Sequence, residues 1–205
     1  MRKTNMLLLS GLFSALTAIC SWINIPLFFT PVPINLALIG PYMSGLMLGP
    51  RYGLLSQLIY ILLGAIGVPV FAGFSGGIGV LAGPTGGFIA GYAVCAFICG
   101  LSMPVYRRKS GAKAGYGLSR ENGAYPADAT GRSPMKLGMT AGSVGFMLLG
   151  LTACYIFGLI WYMALTGAGL WSGLVACVLP FLPGDAFKIT AAAILYRQLA
   201  RAVNI

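Results

Sequence analysis

"LPGDAFKITAAAI", residues 182–194, sets an aspartate and a lysine three positions apart in a run otherwise made of apolar and small residues. The chain has only three acidic residues, Glu121, Asp128 and Asp185, so one of them inside such a run needs a reason. Around it the whole sequence is short of charge: of 205 residues, 58% are hydrophobic and 8% charged, with a mean hydropathy of +0.88. A soluble domain carries about 25% charged residues. This composition therefore describes one membrane domain over 1–205, an all-α integral membrane protein whose outer surface faces the lipid bilayer.

Spans need about 20 apolar residues, and six stretches qualify: 6–25, 34–48, 52–68, 85–105, 137–165 and one within 172–203. The second and third are divided by Gly49-Pro50, and the last is interrupted by Pro180 and Pro183. The N-terminus is basic and then apolar, like a signal peptide, but Ile19 stands before Cys20 where a lipoprotein cleavage site wants a small residue. It reads as a retained first helix.

The net charge of +10 tests this layout. With six spans, twelve of the thirteen basic residues fall on one side: Arg2, Lys3, Arg51, seven between Arg107 and Lys136, then Arg197 and Arg201. The opposite loops, near 26–33, 67–84 and 166–177, hold none. The positive-inside rule makes that charged side, with both termini, cytoplasmic. No basic cluster is interleaved with aromatics, so nucleic acid is not indicated. The polar, Gly-rich segment at 106–136 reads as a mobile cytoplasmic loop.

Lys188 is the thirteenth base. It lies nine residues before Arg197, about 13–14 Å along a helix, which puts it near mid-membrane with Asp185 a turn further out. Residues i and i+3 face each other on a helix, and each charge at that depth costs about 2.5–3.5 kcal/mol. Two readings stand together. "PGD" is a turn-plus-cap signal, so Asp185 can cap this helix with Lys188 neutralising it; or the pair lines a polar pocket open to the outside.

The outer stretch "GVPVFAGFSGGIGVLAGPTGGF", 67–88, carries eight glycines in its first 21 residues. It lies between the third and fourth spans and can fold closely over a ligand or simply let helices pack. It matches no phosphate-binding fingerprint. Phe71, Phe74 and Thr85 give it two aromatic faces and a hydroxyl. The five cysteines form no CxxC pair and there is no histidine, so no metal site is indicated. On the first helix, Gly11/Ala15 and Ser14/Ala18 are small-xxx-small pairs that let another helix approach, from inside or outside the protein.

"GLMLGPRYGLLSQLIYILLGAIGVPVFAGFSGGIGVLAGPTGGFIAGY" (45–92) and "LPFLPGDAFKITAAAIL" (179–195) together resemble the BioY family. Its members are the biotin-specific substrate-binding (S) components of energy-coupling factor (ECF) transporters. The resemblance runs through nearly all six spans. It implies a biotin pocket near the outer face, covered by the loops between helices 1 and 2 and between helices 3 and 4. It assigns Asp185 and Lys188 to that pocket, with Thr85, Phe71, Phe74, Gly73, Gly86, Gln57 and Tyr155 as further candidates. It also implies docking through Gly11, Ser14, Ala15 and Ala18 onto a transmembrane scaffold driven by two ATPase subunits. One departure stands out: where the family usually reads Thr-Leu-Gln after "PVPI", this chain has Asn35-Leu36-Ala37, which puts that glutamine's contact in doubt.

The resemblance implies a multi-pass protein of the cell membrane, with biotin as transported ligand, no cofactor and no ATPase of its own. The rival readings are a self-sufficient secondary transporter of biotin or another small vitamin, and a membrane enzyme. The first lacks an ion relay or internal repeat. The second has only Asp185 and Lys188 for acid–base work.

Overall fold

The computed structural model describes residues 3–25, 28, 32–102 and 141–202. The segment expected as a cytoplasmic loop, 106–136, lies outside them, as do residues 1–2 and 203–205. Helix α1 (Lys3–Trp22) leads to a short antiparallel pair, β1 (Asn24–Ile25) with β2 (Ile34–Asn35). Then come α2 (Ile39–Ala65), a 3-10 turn (Ala72–Phe74), α3 (Ile78–Ala82), α4 (Gly86–Gly100), α5 (Ala141–Thr166), α6 (Leu170–Cys177) and α7 (Leu182–Ala202).

The helices are inside out relative to a soluble bundle. On α1, Ser10, Ser14, Thr17 and Ser21 are buried, while Leu7, Leu8, Leu12 and Ile19 are exposed. A lipid-facing helix has nothing to gain by hiding leucine and much to gain by hiding hydroxyls. Two of these hydroxyls bond back to carbonyls four residues earlier, Ser10 Oγ to Met6 and Thr17 Oγ1 to Phe13. Three helices are long and apolar enough to cross a membrane, within Thr4–Trp22, Ile39–Ala65 and Ser143–Thr166. A fourth crossing exists if α6 and α7, bent by 49°, form one broken span; Gly86–Gly100 is apolar but shorter. The chain is a mostly helical, multi-pass membrane protein.

Helix α2 is not straight. Gly49 sits at φ 81°, ψ −179°, conformations open to glycine and not to a helical residue. Pro50 follows, as suits the first position of a new helical arm, where no N–H is needed. Gln57 Nε2 donates to Ser44 Oγ at 3.2 Å. Thirteen residues of unbroken helix would separate those groups by about 20 Å, so the chain turns back on itself at Gly49-Pro50. The first arm begins only at Ile39, because residues 34–35 are held extended against 24–25 and Leu36 N–H donates to the Ile23 carbonyl.

Cross-links fix what lies level with what. At one end, Ser10 Oγ donates to the Tyr52 carbonyl, and Gly100 lies against the Gly49-Pro50 backbone. At the other, Trp22 Nε1 donates to the Pro69 carbonyl and Trp161 Nε1 to Gly83. The Gly-rich stretch is thus pinned by two indoles, and Trp22 also stacks on Phe74 with ring centroids 5.0 Å apart.

Gln57, a candidate for the ligand site, belongs instead to the middle of the bundle. It is fully buried, and its amide nitrogen donates to Thr17 Oγ1 and Ser44 Oγ, both at 3.2 Å, with Ser56 Oγ also close by at 3.4 Å. It ties α1 to both arms of α2. Gln57→Leu is expected to lower thermal stability by about 1–3 kcal/mol, because Thr17 and Ser44 each lose the donor that links them and keep only a local carbonyl, while ligand affinity stays within about twofold, as its side chain is away from the cavity. Thermal unfolding and equilibrium binding on the purified variant check both halves.

Candidate ligand-binding site

Helix α7 starts at Leu182, and Asp185 falls in its first turn. The capping expectation for Asp185 does not hold. Its N–H donates to the Phe181 carbonyl at 2.9 Å, so the residue is already inside the helical ladder, and its carboxylate turns to side chains instead. Lys188 Nζ donates to Asp185 Oδ1 at 2.6 Å, and the Tyr155 hydroxyl donates to Oδ2. Asp185 is 1% and Lys188 3% exposed. Among the described residues this is the one ion pair. Both carboxylate oxygens are engaged, as a charge removed from water requires.

The pair forms part of the wall of a cavity of about 170 Å³. That exceeds the roughly 150 Å³ void that takes up a benzene ring in a soluble protein. Every element at that end contributes. Ser21 comes from α1, Asn35 from β2, and Tyr60 from the second arm of α2. Phe71 and Ser75 come from the Gly-rich turn, Thr85 and Tyr92 from around α4, and Tyr155 from α5. Phe71 is 1% exposed and meets Tyr60 edge to face at 5.5 Å between centroids. Its ring occupies the space a side chain at Gly64 would need. A buried aromatic is held there by the Phe71–Ser75 bridge at the mouth of the turn. The result is a mainly apolar cavity with a few placed polar groups, the usual form of a small-molecule site.

The structure therefore brings together Asp185, Lys188, Thr85, Phe71 and Tyr155. Four other candidates are elsewhere. Phe74, at φ 56°, is 64% exposed and stacks on Trp22. Gly73, at φ 69°, serves the turn itself. Gly86 starts α4 hard against the Leu81 carbonyl. Gln57 is spent in the core, as above. Sequence reasoning missed Asn35, Tyr60 and Tyr92, which come from segments far apart along the chain. The departure after "PVPI" drew notice only for the missing glutamine, and the aromatics of the third and fourth spans carried no local mark of a site.

The four small residues of α1 split between two faces. Gly11 and Ala15 are exposed, whereas Ser14 and Ala18 are buried at 1% and 7%. A spacing of four shows that two residues share a face without saying which, and Ser14/Ala18 prove to be internal packing.

This arrangement of helices has a known counterpart. Aligned on the 2.1 Å crystal structure of the S-component for biotin from an ECF-type ABC transporter, the chain gives a TM-score of 0.76 at 27% identity. The match covers 97% of this chain and 92% of that one. A protein of Pyrococcus horikoshii named as a probable biotin transporter BioY is 34% identical over 191 residues, 93% of either chain. The biotin transporter BioY of Rhodobacter capsulatus is 32% identical over 203 residues, 94% of this chain and 92% of its own. The sequence pattern of the BioY family extends over residues 1–205. With the fold and the matches along nearly all of the sequence in agreement, the chain belongs to the BioY family.

Proposed function

We propose that this chain captures biotin at the outer face of the cell membrane, as the substrate-binding component of an ECF-type importer. The observation that carries the proposal is the buried Asp185–Lys188 pair in the wall of a small, largely apolar cavity, in a chain of this family. Biotin's fused ring and valeryl tail suit the aromatic walls. Its ureido group and carboxylate suit a wall that can both donate and accept hydrogen bonds. Asp185, Lys188, Thr85, Phe71 and Tyr155 are the residues assigned to binding. Transport, not catalysis, is the role; the driving energy comes from two partner ATPases through a transmembrane scaffold. Gly11 and Ala15, small and exposed on α1, are the docking residues that remain open to it.

Six crossings support this reading best, with the two arms of α2 counted separately and α6–α7 as the last. All the basic residues but Lys188 then share the cytoplasmic side with both termini, and the cavity opens outward. The fully buried cation also disfavours a cationic vitamin such as thiamin, which would have to sit beside Lys188.

The test has two parts. Detergent-purified full-length chain is expected to bind biotin, and not thiamin or riboflavin, in an equilibrium titration. Cells producing the chain with a scaffold–ATPase module are expected to accumulate biotin in an ATP-dependent way, and those producing the chain alone are not. Uptake by the chain alone at the same rate would move the assignment to a self-sufficient secondary transporter. No biotin binding would remove it.

A further inference from the structure

Among the described residues, Asn35 is the one side-chain amide in the wall of the cavity, and its orientation is fixed by the groups around it. The Ala37 N–H, which can only donate, points at Asn35 Oδ1 at 3.2 Å. The Tyr92 hydroxyl donates to the same oxygen at 3.4 Å. The backbone beneath it is held too, since Asn35 pairs with Asn24 across the two strands. The amide oxygen is therefore spent, and the amide cannot flip without setting two donors against its NH2 group. What remains is Nδ2, with no acceptor among the described residues. The other polar groups are largely committed: Asp185 to Lys188 and Tyr155, Ser75 Oγ to the Ala72 carbonyl.

We infer that Asn35 determines specificity by donating from Nδ2 to a carbonyl-type acceptor on the ligand, which for biotin is the ureido oxygen. This rests on the proposed function and deepens it. A preset donor with no protein acceptor favours a ligand that brings one, and penalises a ligand that presents a donor at the same place. It also gives this chain a polar contact two residues before Ala37, where the resemblance left one in doubt.

The experiment compares biotin with 2-iminobiotin, whose ring carries a cationic guanidinium in place of the ureido carbonyl. Unaltered full-length protein is expected to prefer biotin. Asn35→Ala is expected to reduce that preference about tenfold or more, mainly by weakening biotin. Asn35→Asp keeps an oxygen for Ala37 and Tyr92 but replaces the donor with an acceptor, so it preserves the local fold and is expected to shift the preference toward 2-iminobiotin. If both variants keep the wild-type ratio of affinities, the inference is overturned while biotin binding stands. If the unaltered protein binds no biotin, the proposed function falls and this inference with it.

Discussion

Replacing Lys188 with methionine should abolish measurable biotin binding, a loss of at least about 100-fold, and lower the thermal midpoint of the purified chain. The substitution leaves Asp185, 1% exposed, without its counter-charge. Breaking one side of a buried pair typically costs about 3–5 kcal/mol, because the surviving charge stays desolvated. Removing both charges separates stability from recognition. In the double variant Asp185→Asn/Lys188→Met no charge is stranded, and much of the lost stability should return. Binding should not return, since the ligand still lacks its ionic partners. Thermal unfolding and equilibrium titration on the two single variants and the double variant read both quantities. A double variant that recovers binding along with stability would reduce the pair to a structural device; single variants that bind normally would remove it from the site.

Gly86→Ala is expected to have the next largest effect. A Cβ on Gly86 would fall well inside contact distance of the Leu81 carbonyl, and neither group is a flexible side-chain end that can swing aside. The corner between α3 and α4 would have to open. Thr85, Phe88 and Ile89, which line the cavity, sit in that same turn. Overpacking of this kind costs about 1–3 kcal/mol, and here it falls on the cavity wall, so biotin affinity should drop at least about tenfold. Gly79, inside α3, is the control. A Cβ there meets nothing within 4 Å, and Gly79→Ala should leave affinity within about twofold. Equal effects of the two substitutions would show that the α3–α4 corner does not shape the site.

The mostly helical, membrane-crossing fold was legible because lipid imposes a coarse rule that composition obeys. The Gly49-Pro50 break was legible too, since a glycine free to take φ 81° followed by a proline leaves little else for the chain to do. The start of α2 was not. "PINL" reads as the edge of an apolar run, and only pairing with Asn24–Ile25 keeps residues 34–35 extended. The ion pair was legible from its cost: two charges in an apolar run are rare enough to stand out. The same logic misdirected Gln57, because a polar residue in a span is a candidate for function until its partners are known. Its partners, Thr17, Ser44 and Ser56, are hydroxyls with no individual signal. "PGD" likewise overstated the cap, since local turn chemistry could not reveal that Phe181 accepts from the Asp185 N–H. Asn35, Tyr60 and Tyr92 were hidden for a deeper reason. They meet only after β1–β2 pairing, the α2 reversal and the packing of α4 have all formed, and no window of sequence contains those events.

The most direct measurement is an experimental structure of the full chain with biotin bound. The account predicts one biotin per chain, within the cavity bounded by Phe71 and Tyr92, with its polar groups in hydrogen-bond reach of Asp185 or Lys188 and of Asn35. Biotin seated elsewhere, with the aspartate and lysine still closed on each other and the cavity empty, would contradict it.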